Sequence, residues 1–212
     1  LGAAEEVTGS KHVLEVDGHS ILIDCGAFQG IRAIADQKNR KFDVPADRLE
    51  AVILTHAHYD HCGLLPMLGL NGFKGNIYST PATRDLANLI MMDSAHIQSR
   101  DAEFWTKHAA MRGEAFNWKP LFDESDVVAI TNQFVTVSYG RPTWVTPNVK
   151  LEFFDAGHIL GSAMAVLTVR ESDGKETKIA YTGDLGREGK AMIRDPELLP
   201  PVDYMLLEGT YG

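Results

Sequence analysis

Strand-length apolar runs alternate with turn residues along most of the chain. Lys11 to Val16 and His19 to Asp24 are strand-like and flank Asp17-Gly18, a strong tight-turn signal, so 11–24 reads as a hairpin. Ala51-Val52-Ile53-Leu54 is a continuous apolar run and reads as a buried strand, and Asn76 to Ser79 as a short one. Between the hairpin and that buried strand, Gly26, Gly30 and a polar, basic stretch read as a loop with a short helix. Cys62 to Leu70 reads as a helix ending near Asn71-Gly72. Thr80 suits a cap and Pro81 a first turn for a long helix running through Leu86, Leu89, Ile90 and Met91 to Trp105, with Leu86, Leu89 and Ile90 as core positions. Asp123 to Asn132 is a further helix, and Val135-Thr136-Val137 begins a return to strands. Leu151 to Phe154 is a strand. Ala163 to Val169 and Thr177 to Tyr181 flank Ser172-Asp173-Gly174 as a second hairpin, and Val202 to Leu207 is the last strand. Strands and hairpins with interspersed helices predict sheets packed together with helices outside.

Chemistry gathers where these strands end. The buried run at Ala51–Leu54 leads into Thr55-His56-Ala57-His58-Tyr59-Asp60-His61. On a helix His56 and His58 would lie about 200° apart. On an extended segment they share a face and can chelate one ion. Asp60 and His61 follow where the chain must turn, and can face a second metal. Imidazole nitrogen with carboxylate oxygen is a zinc-type donor set. Other strands deliver Asp24, His158, Asp184 and Glu208 at their ends, and sites are commonly built at the strand ends of layered folds. His96, inside a helical segment, reads as a satisfied, partly buried histidine.

Composition narrows the class. The 212 residues suffice for one domain with a sizeable core, and 44% hydrophobic with 23% charged residues is ordinary for a globular protein. No apolar run approaches a membrane span and no signal-peptide pattern opens the chain, which begins at Leu1. The two cysteines, Cys25 and Cys62, make no disulfide framework and read as small buried filler, so a reduced, cytoplasmic protein is expected. A net charge of −9 argues against broad attraction to nucleic acid. Two divalent metals would add about four positive charges where a phosphate sits, so a nuclease is not excluded. Basic residues cluster at Arg32, Lys38, Arg40 and Lys41, and again at Arg187, Lys190 and Arg194; each cluster reads equally as a solvated face.

The cluster His56-Ala57-His58-Tyr59-Asp60-His61 resembles the signature of the metallo-β-lactamase superfamily. Asp24 in Leu22-Ile23-Asp24-Cys25-Gly26, His158 in Ala156-Gly157-His158 and Asp184 in Tyr181-Thr182-Gly183-Asp184 resemble its other motifs, in order. Glu5-Glu6-Val7-Thr8-Gly9-Ser10, Asp93-Ser94-Ala95-His96-Ile97-Gln98, His158-Ile159-Leu160-Gly161-Ser162-Ala163 and Leu207-Glu208-Gly209-Thr210-Tyr211-Gly212 resemble the β-CASP branch. That branch contains the endonuclease of the cleavage and polyadenylation specificity factor, ribonuclease J and bacterial RNA-processing relatives. Gly209 stands where the branch usually has Ser.

The resemblance implies an α/β (α+β) fold, the αββα sandwich of the superfamily. Residues 1–212 would be its N-terminal portion, with the β-CASP insertion beginning after about 212 and therefore absent. It implies two zinc ions, with manganese as the alternative: His56, His58 and His158 on one, Asp60 and His61 on the second, Asp184 bridging. Two such metals clamp a phosphate and generate hydroxide near neutral pH. The implied activity is RNA cleavage leaving a 5′-phosphate and a 3′-hydroxyl, inward from an end or internally. Asp24 would orient ligand imidazoles, Asp60 would also serve the chemistry, and Glu208 would orient a general-acid His supplied from beyond this chain. Alternatives are a small-molecule hydrolase (a lactonase or thioesterase) or a non-catalytic RNA-binding subunit. RNA is the expected partner and no membrane; oligomeric state is open, a homodimer among the options.

Overall fold

The computed structural model describes residues 2, 3, 6–115 and 118–209. Two five-stranded sheets stack face to face, and helices cover the outer face of the first. The first sheet has the order β1-β2-β3-β4-β5. Its strands are β1 (His12–Val16), β2 (His19–Ile23), β3 (Leu49–Ile53), β4 (Asn76–Ser79) and β5 (Phe134–Thr136). β1 and β2 form the expected antiparallel hairpin, turned by Asp17 and Gly18 at φ 48° and 84°. The remaining neighbours, β2 to β5, run parallel. Parallel strands need crossovers, and all five α-helices of the described residues lie in them. They are α1 (Arg32–Arg40), α2 (Tyr59–Cys62), α3 (Leu65–Leu70), α4 (Pro81–Met111) and α5 (Glu124–Thr131).

The second sheet has the order β10-β9-β8-β7-β6. Its strands are β6 (Thr143–Thr146), β7 (Val149–Asp155), β8 (Ala163–Arg170), β9 (Glu176–Tyr181) and β10 (Tyr204–Leu206). All neighbours are antiparallel except β9 and β10. β7 alternates strictly between buried and half-buried positions, as period-2 geometry requires. Its inward Leu151 and Phe153 meet Ala165 and Leu167 of β8 and Ile21, Ile23 and Ile53 of the first sheet, which makes the inter-sheet core. A second core lies between the other face of the first sheet (Leu22, Val52, Ile77) and helical Leu65, Leu68, Met91 and Ile130. The described residues therefore form α–β–β layers, the mixed α/β sandwich expected, and no described helix residue belongs to the inter-sheet core.

Three local expectations are corrected. The helix expected over Cys62–Leu70 is two pieces, α2 and α3, broken at Gly63-Leu64. Pro66 lacks an N–H and cannot sit inside one continuous helix, so the helix restarts with Pro66 in its first turn. Asp60 and His61 thus lie on the helical turn of α2. In α4 the buried stripe is Thr83, Ala87, Met91 and Ala95, four residues apart. Leu89, two residues off that stripe, is 64% exposed rather than core. His96, also off it, is exposed and lies 3.6 Å from Glu124. Leu86 and Ile90 do pack partly against the core. Both cysteines are buried and free. Among the described residues no helix is long and apolar enough to cross a membrane.

Candidate metal centre

Both sheets end at one place. β3 runs out into Leu54, Thr55 and His56, and His58 follows in extended conformation as the N-cap residue of α2. From the second sheet, the loop after β7 brings His158 and the loop after β9 brings Asp184. Ala163 N donates to the Thr55 carbonyl at 2.9 Å, which ties β8 to the start of the His segment.

His56, His58, His158 and Asp184 each offer a ligand atom, all within 4.8 Å of one another. Nδ1 of His58 lies 3.2 Å from Nε2 of His56 and 3.1 Å from Nε2 of His158. Asp184 Oδ2 is 3.6 Å from both Nε2 atoms and 4.0 Å from His58 Nδ1. Four donors around a tetrahedral metal at about 2.0–2.1 Å are about 3.3–3.4 Å apart. The two imidazole edges at His58 match that spacing, and the carboxylate stands slightly farther off. The donor set fits a divalent metal.

Hydrogen bonds aim the imidazoles. Asp24 is fully buried at the end of β2 with φ 57°, a left-handed conformation that Asp tolerates. Its Oδ1 accepts from Thr55 N at 2.9 Å. Its Oδ2 accepts from Thr55 Oγ1 at 2.9 Å and from His61 Nδ1 at 2.8 Å. Because the Thr55 hydroxyl donates to Asp24, its oxygen is left to accept from His56 Nδ1 at 3.1 Å. That assignment leaves Nε2 of His56 as a bare lone pair facing the cluster. His61, held at Nδ1, turns Nε2 to within 3.2 Å of Asp184 Oδ1.

The electrostatics follow from this geometry. Burial works against charging His61, but Asp24 and Asp184 on its two sides outweigh it and raise its pKa to about 10. Burial, then the neighbouring His56 and His58, lower His158 to about 4. Burial likewise lowers His56. Burial opposes ionisation of Asp184, yet hydrogen bonds with His56, His58 and His61 hold its carboxyl far below the usual range.

Asp60 is half-buried in α2 and is not among the four grouped ligand residues, although its carbonyl accepts from Ser10 N at 2.9 Å. Glu208 is half-buried, and its Oε1 accepts from Leu185 N. It lines two cavities beside the cluster, of about 530 and 610 Å³, both also lined by Asp184. The Thr210-Tyr211-Gly212 part of its motif and Glu5 lie outside the described residues. Sequence reading did not single out Thr55, although it adjoins His56 and a hydroxyl there is within reach of both neighbours. Nor did it find Ser10 and Tyr181, whose hydroxyls lie 2.9 Å apart on the wall of the smaller cavity.

The model of the Metallo-beta-lactamase superfamily matches residues 8–209. The chain belongs to the metallo-β-lactamase superfamily. Ribonuclease TTHA0252 of Thermus thermophilus is 35% identical over 213 residues, covering all of this chain and 43% of that protein. Transcription termination factor FttA of Methanothermobacter thermautotrophicus is 35% identical, and that of Methanocaldococcus jannaschii 32%; each match covers all of this chain and 31% of the relative. The chain thus spans less than half the length of these relatives. A HARLDQ-motif metallo-β-lactamase of Cronobacter sakazakii, mutant S60, superposes with a TM-score of 0.50 at 19% identity, covering 88% of this chain and 60% of that one. That likeness shows the superfamily fold and nothing of substrate.

Proposed function

We propose that this chain is the metal-holding part of an RNA-cleaving phosphodiesterase of the β-CASP branch. The observation that carries the reading is the convergence of three imidazoles at tetrahedral-edge spacing with Asp184 facing both them and His61. The relatives named for ribonuclease activity and transcription termination support RNA as the substrate. His56, His58 and His158 would hold one zinc, Asp60 and His61 a second, and Asp184 would lie between them. When bound, such metals lower the pKa of water toward neutrality and polarise a phosphoryl oxygen. The residues of the chain supply orientation. Asp24 fixes the His61 ring, Thr55 passes the same constraint to His56, and Asp184 is kept ionised by its imidazole neighbours. Glu208, anchored to the Leu185 amide and lining both cavities, would orient the general-acid His or the leaving group. The fold beyond this chain would add the β-CASP domain, and a cytoplasmic location fits RNA processing.

The test is metal content by mass spectrometry on the chain and on His158→Ala, together with product analysis in the intact protein. Near two zinc ions, a clear loss in the variant and RNA products bearing 5′-phosphates are the expected outcome. Opening of lactone or thioester substrates with RNA left intact would replace the reading with that of a small-molecule hydrolase.

A further inference from the structure

The two basic clusters differ in one respect. Arg32, Lys38, Arg40 and Lys41 are each neutralised by a carboxylate, Asp101, Glu6, Asp36 and Asp43 respectively. Arg187 and Lys190 have no such ion pair among the described residues. They line the cavity of about 610 Å³ together with His158, Asp184 and Glu208. In a chain of net charge −9, two uncompensated cations beside the metal cluster stand out.

The loop that carries them is tied to the His158 loop. Lys190 Nζ donates to the His158 carbonyl at 2.8 Å, so its ammonium is attached to the residue that carries a ligand imidazole. Gly186 N donates to the Ala156 carbonyl at 2.8 Å. A Cβ on Gly186 would come within 1.6 Å of the Gly157 carbonyl oxygen, so only glycine allows this contact. The loop carrying Arg187 and Lys190 is thereby fastened to the loop carrying His158.

We propose that Arg187 and Lys190 form a clamp for the backbone phosphate next to the scissile one, an inference that rests on the RNA reading above. A neutral lactone or thioester offers nothing to two such cations. A single-stranded RNA offers a second phosphate as its strand leaves the metals through this cavity. The pair are positioning residues that select a polyanionic strand, and they carry no bond-making step.

The test uses a fluorescently labelled, non-hydrolysable single-stranded RNA analogue and the intact, metal-loaded protein, with anisotropy followed against salt. Each phosphate contact contributes about 0.7 to the slope of log affinity against log salt on a single strand. Arg187→Ala and Lys190→Ala are each expected to weaken binding, and the double variant to lower the slope by about 0.7, the share of the one phosphate the pair holds. Lys41→Ala, in the ion-paired cluster, is expected to leave it unchanged. A clamp variant that binds RNA like the unaltered protein overturns the clamp and leaves the RNA reading standing. An equal drop for Lys41→Ala also overturns it, because the effect is then general charge. If the unaltered intact protein shows no salt-dependent binding to RNA, both the clamp and the RNA reading fall.

Discussion

Asp24 sets two candidate ligand rings with one carboxylate. Its two oxygens take hydrogen bonds from Thr55 and His61, and Thr55 in turn holds His56. Asp24→Asn separates charge from backbone, because Asn also tolerates the left-handed region. An amide oxygen can still accept from Thr55 N, but only one of its two side-chain atoms can accept. His61 loses its anionic anchor. Calorimetric zinc titration is expected to show the affinity linked to His61 weakened about 10- to 100-fold, with the three-imidazole site of His56, His58 and His158 affected less. Equal loss at both sites would mean that Asp24 acts on the fold as a whole.

At the level of elements, the N-terminus of α4 is joined to the His158 loop. Thr80 Oγ1 accepts from Thr83 N at 3.2 Å and donates to the Gly161 carbonyl at 2.7 Å, which Thr83 Oγ1 also reaches at 2.8 Å. Thr80→Ala removes the cap but leaves Gly161 one partner. A loss of about 1 kcal/mol, read from the urea midpoint, is expected. Metal content should stay unchanged. This cap was legible in Thr80-Pro81, as were both hairpins, because turn dipeptides and caps are local signals. β6 was not legible: Pro142 and Pro147 bracket it, and it exists through pairing of Thr143 and Trp144 with Leu151 and Lys150 of β7. The exposure of Leu89 was hidden for a related reason, since which side of a long helix is buried depends on what packs against it. The delivery of His56, His158 and Asp184 at strand ends was legible from the strand patterns. Their meeting across two sheets came from the family resemblance, because nothing in local spacing links His58 to His158.

For the molecule as a whole, the imidazoles pull stability in opposite directions with pH. His158 has a folded pKa of about 4, below its ordinary value of 6.5. As pH falls through that interval the unfolded chain takes up a proton that the folded chain refuses, so stability drops. His61 has a folded pKa of about 10, above 6.5. Its contribution is complete below 6.5 and is lost as pH rises through about 10. Urea unfolding of the chelator-treated protein is expected to give a midpoint that is highest near pH 6.5 and declines on both sides. A midpoint flat from neutrality down to pH 4 would show that His158 is not desolvated as the structure has it.

The candidate ligands come from the ends of β3, β7 and β9, hence from both sheets, and the two cysteines are free. A bound ion would therefore be the covalent-like staple that this protein otherwise lacks, closing long loops of chain and holding one edge of the sandwich shut. Chelation would act on it much as reduction acts on a small disulfide-bonded protein, releasing the ends of the strands first while the helix-covered core stayed closed.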